Sequence, residues 1–281
     1  IDGTVNWRDS MGRIGSAIDL AHQKLENDTE AEKLLDDSFP TAMAAIGITD
    51  GSILVDDLAS QTMREISTIN GTVNWLQLEG ALDIDTTATW QENSISLNFN
   101  AEEPLAFFAG KPTQLELLLE SELGGIGFSG NLDFYETLFA EGQLEFSTPS
   151  TSALLEILGA KIDPGRAIGS LALSGAASLS NQRLRFDQAT LSIDDNTGSG
   201  ALEITGSEEG PNIVVGTLEF DSLDLSSFLG AFITLPSNRP PFEPPLNLDF
   251  MSQIQTDLRL SAQTAQFGDF EMSELAATAQ I

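Results

Sequence analysis

From Ser94 to Ala101 the chain reads SISLNFNA. Apolar Ile95, Leu97, Phe99 and Ala101 alternate with polar Ser94, Ser96, Asn98 and Asn100. A period of two sends the first set to one side of an extended backbone and the second to the other, which is the mark of a half-buried β-strand. The pattern recurs almost to the end of the chain. QLELLLESE places Leu115, Leu117 and Leu119 together, GQLEFST pairs Leu144 with Phe146, and GSLALSGAASLS aligns Leu171, Leu173, Ala177 and Leu179. GALEITG pairs Leu202 with Ile204, VVGTLEFDS aligns Val214, Leu218 and Phe220, and DLRLSA pairs Leu258 with Leu260. In QRLRFDQATLSID the parity shifts between Leu184/Phe186 and Leu191/Ile193, so a bulge near Asp187–Ala189 is expected to restore the face. Turn chemistry separates the runs in SNQR, DDNTGSG and GSEEGP, and the spacing predicts hairpin after hairpin, an antiparallel meander.

Helical periodicity is scarce. Ile14, Ala17, Ile18, Ala21 and Leu25 form one stripe, and Glu30–Ser38 resumes it until Pro40. STSALLEILG (Ser150–Gly159) carries a Ser/Thr cap and a closing glycine, and Asp224–Phe232 reads as a weaker helical turn. LPSNRPPFEPPL (residues 235–246) is a stiff, Pro-rich connector. IDGTV (Ile1–Val5), TDGSI (Thr49–Ile53) and INGTV (Ile69–Val73) share an Asp/Asn-Gly pair followed by β-favouring residues, and are expected to be turns that launch strands. Two of them extend to an identical GTVNW, ending at Trp7 and Trp75. The repeat suggests equivalent strand starts, each Trp giving large flat surface to the sheet.

Such regularity poses an energetic problem. A sheet with one greasy side forgoes about 1.5–3 kcal/mol for every Leu or Phe left in water. The helices are too few to cover about a dozen strands. The apolar side must therefore meet a second sheet, close on itself as a barrel, or remain an open curled groove holding something apolar. Periodicity alone leaves all three open, with a packed sandwich or barrel as the simplest.

Composition narrows the function. With 12 Lys+Arg against 43 Asp+Glu the formal net charge is -31, which repels nucleic acid and anionic membrane surfaces. No Cys is present, which removes disulfides, thiolate catalysis and cysteine-ligated metal. The apolar runs TAMAAIGI and SSFLGAFITL are too short to span a bilayer. The chain begins at Ile1 without Met and stops at Ile281 inside a strand-like pattern, so it is expected to be a piece of a longer protein.

Catalytic chemistry finds little to hold. Gly125-Ile126-Gly127-Phe128-Ser129-Gly130 fits GxGxxG, but extended FSGNLDF follows where the dinucleotide fingerprint needs a helix, so a glycine-rich bend is expected. His22 is the single histidine, with no nucleophile motif to serve and no second His to share a metal; a solvated or capping role is expected. The acidic pairs Asp36-Asp37, Asp56-Asp57, Asp83/Asp85 and Asp194-Asp195 lack a recognisable catalytic or calcium-loop context and read as a solvated face. No catalytic residue, metal ligand or cofactor is assigned. A carbohydrate hydrolase would need two carboxyls across a cleft.

The stretch from TDGSILVDD and INGTVNW through FSGNLDF, GQLEFSTPSTSALLEILGA and IGSLALSGAASLSNQRLRFDQATLSIDDNTGSGALEITG to VVGTLEFDSLDLSSFLGAF resembles the AsmA family of Gram-negative envelope proteins. DGTVNW at the start is similar to that family's opening strand, and PPLNLDFMSQIQTDLRLSAQTAQFGDFEMSELAATAQI to its closing section. The resemblance covers nearly the whole chain and rests on strand patterns in order, not on catalytic signatures. It lacks the family's amino-terminal membrane helix, and residues 14–45 look like an acidic helical insertion.

The resemblance implies a mainly β fold with a few short helices, a long curled antiparallel sheet forming an open apolar groove across a single 1–281 segment. It implies a non-enzymatic periplasmic domain, anchored to the inner membrane in the full protein. That domain would hold or conduct phospholipid acyl chains for outer-membrane biogenesis and envelope integrity. Partners would be phospholipid tails, the inner membrane through the anchor, and envelope proteins, with no nucleic acid. The groove-lining candidates are Leu97, Phe99, Leu115, Leu117, Leu119, Leu171, Leu173, Leu184, Phe186, Leu202, Ile204, Leu218 and Phe220. A structural scaffold or assembly regulator with a fully packed β-sandwich core is the alternative.

Overall fold

The computed structural model describes residues 45–57, 62–77, 80–104, 107, 111–134, 138–157, 169–207, 210–232 and 254–280. Helices expected over Ile14–Leu25 and Glu30–Ser38, the first GTVNW with Trp7, His22, Asp36-Asp37 and the connector 235–246 lie outside them. Within them the chain forms one thirteen-stranded sheet in unbroken sequence order. Its strands are β1 (Ala45–Asp57), β2 (Thr62–Asn74), β3 (Leu82–Trp90), β4 (Asn93–Ala101), β5 (Thr113–Ser121), β6 (Gly124–Phe134) and β7 (Leu138–Thr148). They continue with β8 (Leu171–Ser180), β9 (Arg183–Ile193), β10 (Asn196–Thr205), β11 (Asn212–Asp224), β12 (Ile254–Phe267) and β13 (Phe270–Gln280). Two short helices accompany them, α1 (Thr151–Ile157) and α2 (Leu225–Phe232). β1 and β13 are both edges, so the sheet is open and not a closed barrel.

Local chemistry accounts for most of these elements. SISLNFNA is β4 with one residue added, and the shift of parity in β9 is a bulge: Ala177 pairs Phe186 while Ala176 pairs Gln188, leaving Asp187 as the extra residue. Ser150 caps α1, its Oγ accepting from the Ala153 N–H at 3.3 Å. Asp224 caps α2, its Oδ1 accepting from the N–H groups of Ser226 and Ser227. The GxGxxG string lies inside β6 as strand and not as the expected bend, and among the described residues the next element is the strand β7.

Two further expectations are corrected. TDGSI and INGTV are not turns but lie inside β1 and β2, where they face each other across an irregularity in register: Ile48 pairs Gly71 and Gly51 pairs Ile69. Asp50 and Thr68 take positive φ there (51° and 48°), and Asn70 Oδ1 accepts from the Asp50 N–H at 2.9 Å. The tolerance for positive φ that a hairpin turn exploits serves a β-bulge equally well. The sheet is also not antiparallel throughout, because β12 runs parallel to β11 from Asn212↔Ile254 to Asp224↔Gln266. A tight hairpin enforces antiparallel pairing. The long segment 225–253, which starts with α2, is long enough to return the chain to the end where β11 began.

The sheet bends toward its apolar side, and glycines permit it. Gly130 and Gly142 pair directly across β6 and β7, and a Cβ on either would stand 2.6 Å from the other's Cα. A Cβ on Gly200 would fall on the Thr217 carbonyl oxygen of β11. At such positions the adjacent backbone has moved onto the apolar side of the glycine, which only a residue without a side chain allows. Gly127, on the polar face of the same β6, has nothing nearer than 3.8 Å to its hypothetical Cβ.

The β3–β4 hairpin closes through Gln91 and Glu92 with φ of 47° and 68°, the double left-handed geometry that suits the twist of a two-residue hairpin. Neither residue is at home there. Replacing the pair by Asn-Gly is expected to raise the unfolding free energy by about 1 kcal/mol, as strain at two left-handed positions is relieved. Amide hydrogen exchange over β3 and β4 checks it, because it reads the local opening free energy strand by strand.

Candidate functional site

Register shows how the apolar residues meet. Residues directly opposite on paired strands share a face. One row runs Ile46–Val73–Ile84–Phe99–Leu117–Phe128–Leu144 over β1 to β7. It continues as Gly175–Ala189–Gly200–Leu218–Leu260–Ala277 over β8 to β13. A neighbouring row runs Leu97–Leu119–Ile126–Phe146–Leu173–Leu191–Gly198–Phe220–Ala262–Leu275. The apolar face is thus continuous across the sheet, perpendicular to the strands.

Along these rows the face changes character. From β3 to β7 large residues follow large residues: Ile84, Phe99, Leu117, Phe128 and Leu144 stand side by side, and all stay half-buried. Within this row, up to Leu144 where it adjoins Gly175, no neighbour is small enough for another to lie across it. From β8 to β12 small residues are mixed among large ones, and large ones fold down over Gly198 and Gly216. The Phe220 ring lies over Gly198, 2.6 Å from where a Cβ would be, and Leu202 Cδ1 lies 3.1 Å from that point on Gly216. Phe186 and Leu218 are 0 % exposed and Phe220 1 %. Helix α2 adds Phe228, which meets Phe220 edge to face with centroids 5.7 Å apart. This end carries a contiguous buried cluster, which also takes in Leu223, Leu258, Leu260 and Ala262.

The thirteen residues expected to line a groove therefore share a face but not an environment. Leu97, Phe99, Leu117 and Leu119 are half-buried on β4 and β5, while Leu115 beside them is buried. Leu171, Leu173, Leu184 and Ile204 are half-buried and pack against the cluster. Phe186, Leu202, Leu218 and Phe220 are inside it. Ile84, Ile126 and Phe128 belong to the half-exposed stretch although the sequence did not single them out as lining. In β6 the glycines of GGIGFSG hide the alternation, and only register restores it. Trp75, one residue past β2, is buried.

The opposite face is polar and acidic. It carries a shallow groove of about 790 Å³ bordered by Asp83, Asp85, Asn98, Asn100, Glu116 and Glu145. Its carboxylates are not directly opposed. Asn100 sits between Asp83 and Glu116, donating to Asp83 Oδ1 at 2.6 Å, and Asn98 and Leu118 follow Asp85. Spacing like charges by neutral strands spreads their repulsion into solvent. Asp194 is structural: its Oδ1 accepts from the N–H groups of Gly169 and Ser170. Among the described residues no group of His, Cys, Asp or Glu is arranged to hold a metal ion, and no helix is long and apolar enough to cross a membrane.

Fold and face together define an open, curled, mainly β sheet with one apolar side, part of it filled by its own side chains and part left accessible. Comparison of the chain with family models, with curated proteins and with solved structures returned no match.

Proposed function

We propose that the chain is a non-enzymatic, AsmA-like periplasmic segment that holds or conducts phospholipid acyl chains along its apolar face, within a longer protein anchored in the inner membrane. The observation that carries this reading is the half-exposed run of large apolar side chains from β3 to β7, continuous across five strands in register. A hydrocarbon tail laid across it gains about 0.8 kcal/mol per methylene buried, while a headgroup at the rim stays wet. Among the described residues the row from Ile84 to Leu144 carries no charged or hydrogen-bonding side chain for a polar substrate to engage. The surface charge of -31 keeps such a sheet soluble and apart from its own copies.

The scaffold reading draws its support from the β8–β12 cluster, which is packed as a structural core would be. It needs a second layer over β3–β7, whereas all the described strands belong to one sheet.

The test uses delipidated protein and a fluorescent fatty acid. Wild type is expected to bind it, and Phe99→Asp to bind at least about tenfold more weakly, because a carboxylate beside a hydrocarbon tail costs more than 1.4 kcal/mol. Ser129→Asp, on the polar face, is expected to bind as wild type does. No uptake by wild type, with no lipid released from gently purified protein, overturns the proposal.

A further inference from the structure

We infer that the tail-holding lane is blind at one end, and that Phe220 and Phe228 form its end wall; this rests on the lipid-holding reading above. The row that begins at Leu97 runs through Phe146, Leu173 and Leu191 straight into Gly198, and the Phe220 ring occupies the space above that glycine. A tail advancing along the row meets this ring, backed edge-on by Phe228, itself 4 % exposed.

The wall is fixed at several points. Asn196, buried in the β9–β10 hairpin, accepts the Asp224 N–H on Oδ1 at 2.7 Å; Asp224 in turn caps α2. At the far side Ser226 Oγ accepts from the Gly268 N–H in the β12–β13 turn at 3.1 Å. Helix α2 is thus pinned to hairpins on both sides of the strands it covers. The half-exposed lane from β3 to β7 spans four interstrand steps of about 4.8 Å, about 19 Å in all. With carbon–carbon bonds of about 1.5 Å in a zigzag, this is the scale of one common acyl chain. The segment accordingly holds one stretch of tail over β3–β7, the wall at β10 standing three further interstrand steps, about 14 Å, beyond β7, and a tail passes beyond β10 only when α2 leaves its seat.

The experiment is a crosslinking map with a stearic acid carrying a photoreactive group near its methyl end, applied to wild type and to Phe228→Ala. In wild type the adducts are expected on peptides of β3–β8, with β11–β12 at background. In Phe228→Ala they are expected to spread onto β11 and β12. Wild-type adducts spread evenly over β3–β12 overturn the blind end, as does an unchanged map in Phe228→Ala that still holds the probe. Should Phe228→Ala fail to fold, the wild-type map decides alone. Absence of any adduct in wild type overturns the lipid reading itself, a different result from a bound tail in the wrong place.

Discussion

Phe186→Ala is expected to lower the local opening free energy of β8–β11 by about 3–5 kcal/mol, the usual cost of emptying a filled aromatic site. Phe99→Ala, with the same chemistry, is expected to cost about half as much or less. Phe186 is 0 % exposed within the cluster, so its removal leaves a void among Ala177, Leu202 and the residues around them. Phe99 stands half-exposed among Ile84 and Leu117, and truncating it loses contacts on one side only. Each strand pairs only with its sequence neighbours. Stability is therefore closer to a sum of neighbouring interfaces than to one all-or-none transition. Amide hydrogen exchange is the suitable measurement, because it reads each strand separately. Protection should collapse in β8–β11 of Phe186→Ala while β3–β5 keep theirs. Equal losses for the two substitutions would mean that both halves of the face are filled alike.

The contrast between those halves marks where reading the chain stops being enough. Alternation in SISLNFNA and QLELLLESE identifies strand and face, because a period of two is a local property of the backbone. The shift between Phe186 and Leu191 identifies the bulge for the same reason. TDGSI and INGTV mislead because a positive φ is demanded both by a turn and by a bulge, and only the partner strand tells which. The parallel pairing of β12 was concealed by the segment 225–253, whose length allows either direction. Which apolar residues stay accessible is a matter of what lies beside them across the sheet. Phe220 and Phe99 look alike in the chain, each in an alternating run. One faces Gly198 and Ala262, the other Ile84 and Leu117. Register sets those neighbours, and register depends on every turn and bulge between.

Gly130→Val is expected to destabilise the β6–β7 region by about 3 kcal/mol, the upper part of the range for forcing bulk into a filled site. Gly127→Val, three residues earlier on the same strand, is expected to be neutral or to gain up to about 1 kcal/mol from lower chain entropy and better β-propensity. The difference lies in the face. At Gly130 the new Cβ would collide with the Glu141 carbonyl oxygen and lie 2.6 Å from the Gly142 Cα, both rigid backbone. At Gly127 it would meet the tip of Leu118 at 3.8 Å, Glu145 Cβ at 3.9 Å and the Leu117 carbonyl oxygen at 4.0 Å, all ordinary van der Waals contacts. The strands can relieve the first collision only by moving apart on the apolar side, which flattens the bend between β6 and β7. Gly130→Val is thus expected to weaken tail binding as well as stability, since Phe128 and Leu144 flank the bend and would splay. Hydrogen exchange over β6–β7 and fluorescent fatty-acid binding measure the two effects separately. If Gly130→Val were tolerated as readily as Gly127→Val, the curvature toward the apolar face would not depend on these glycines, and the groove would need another cause.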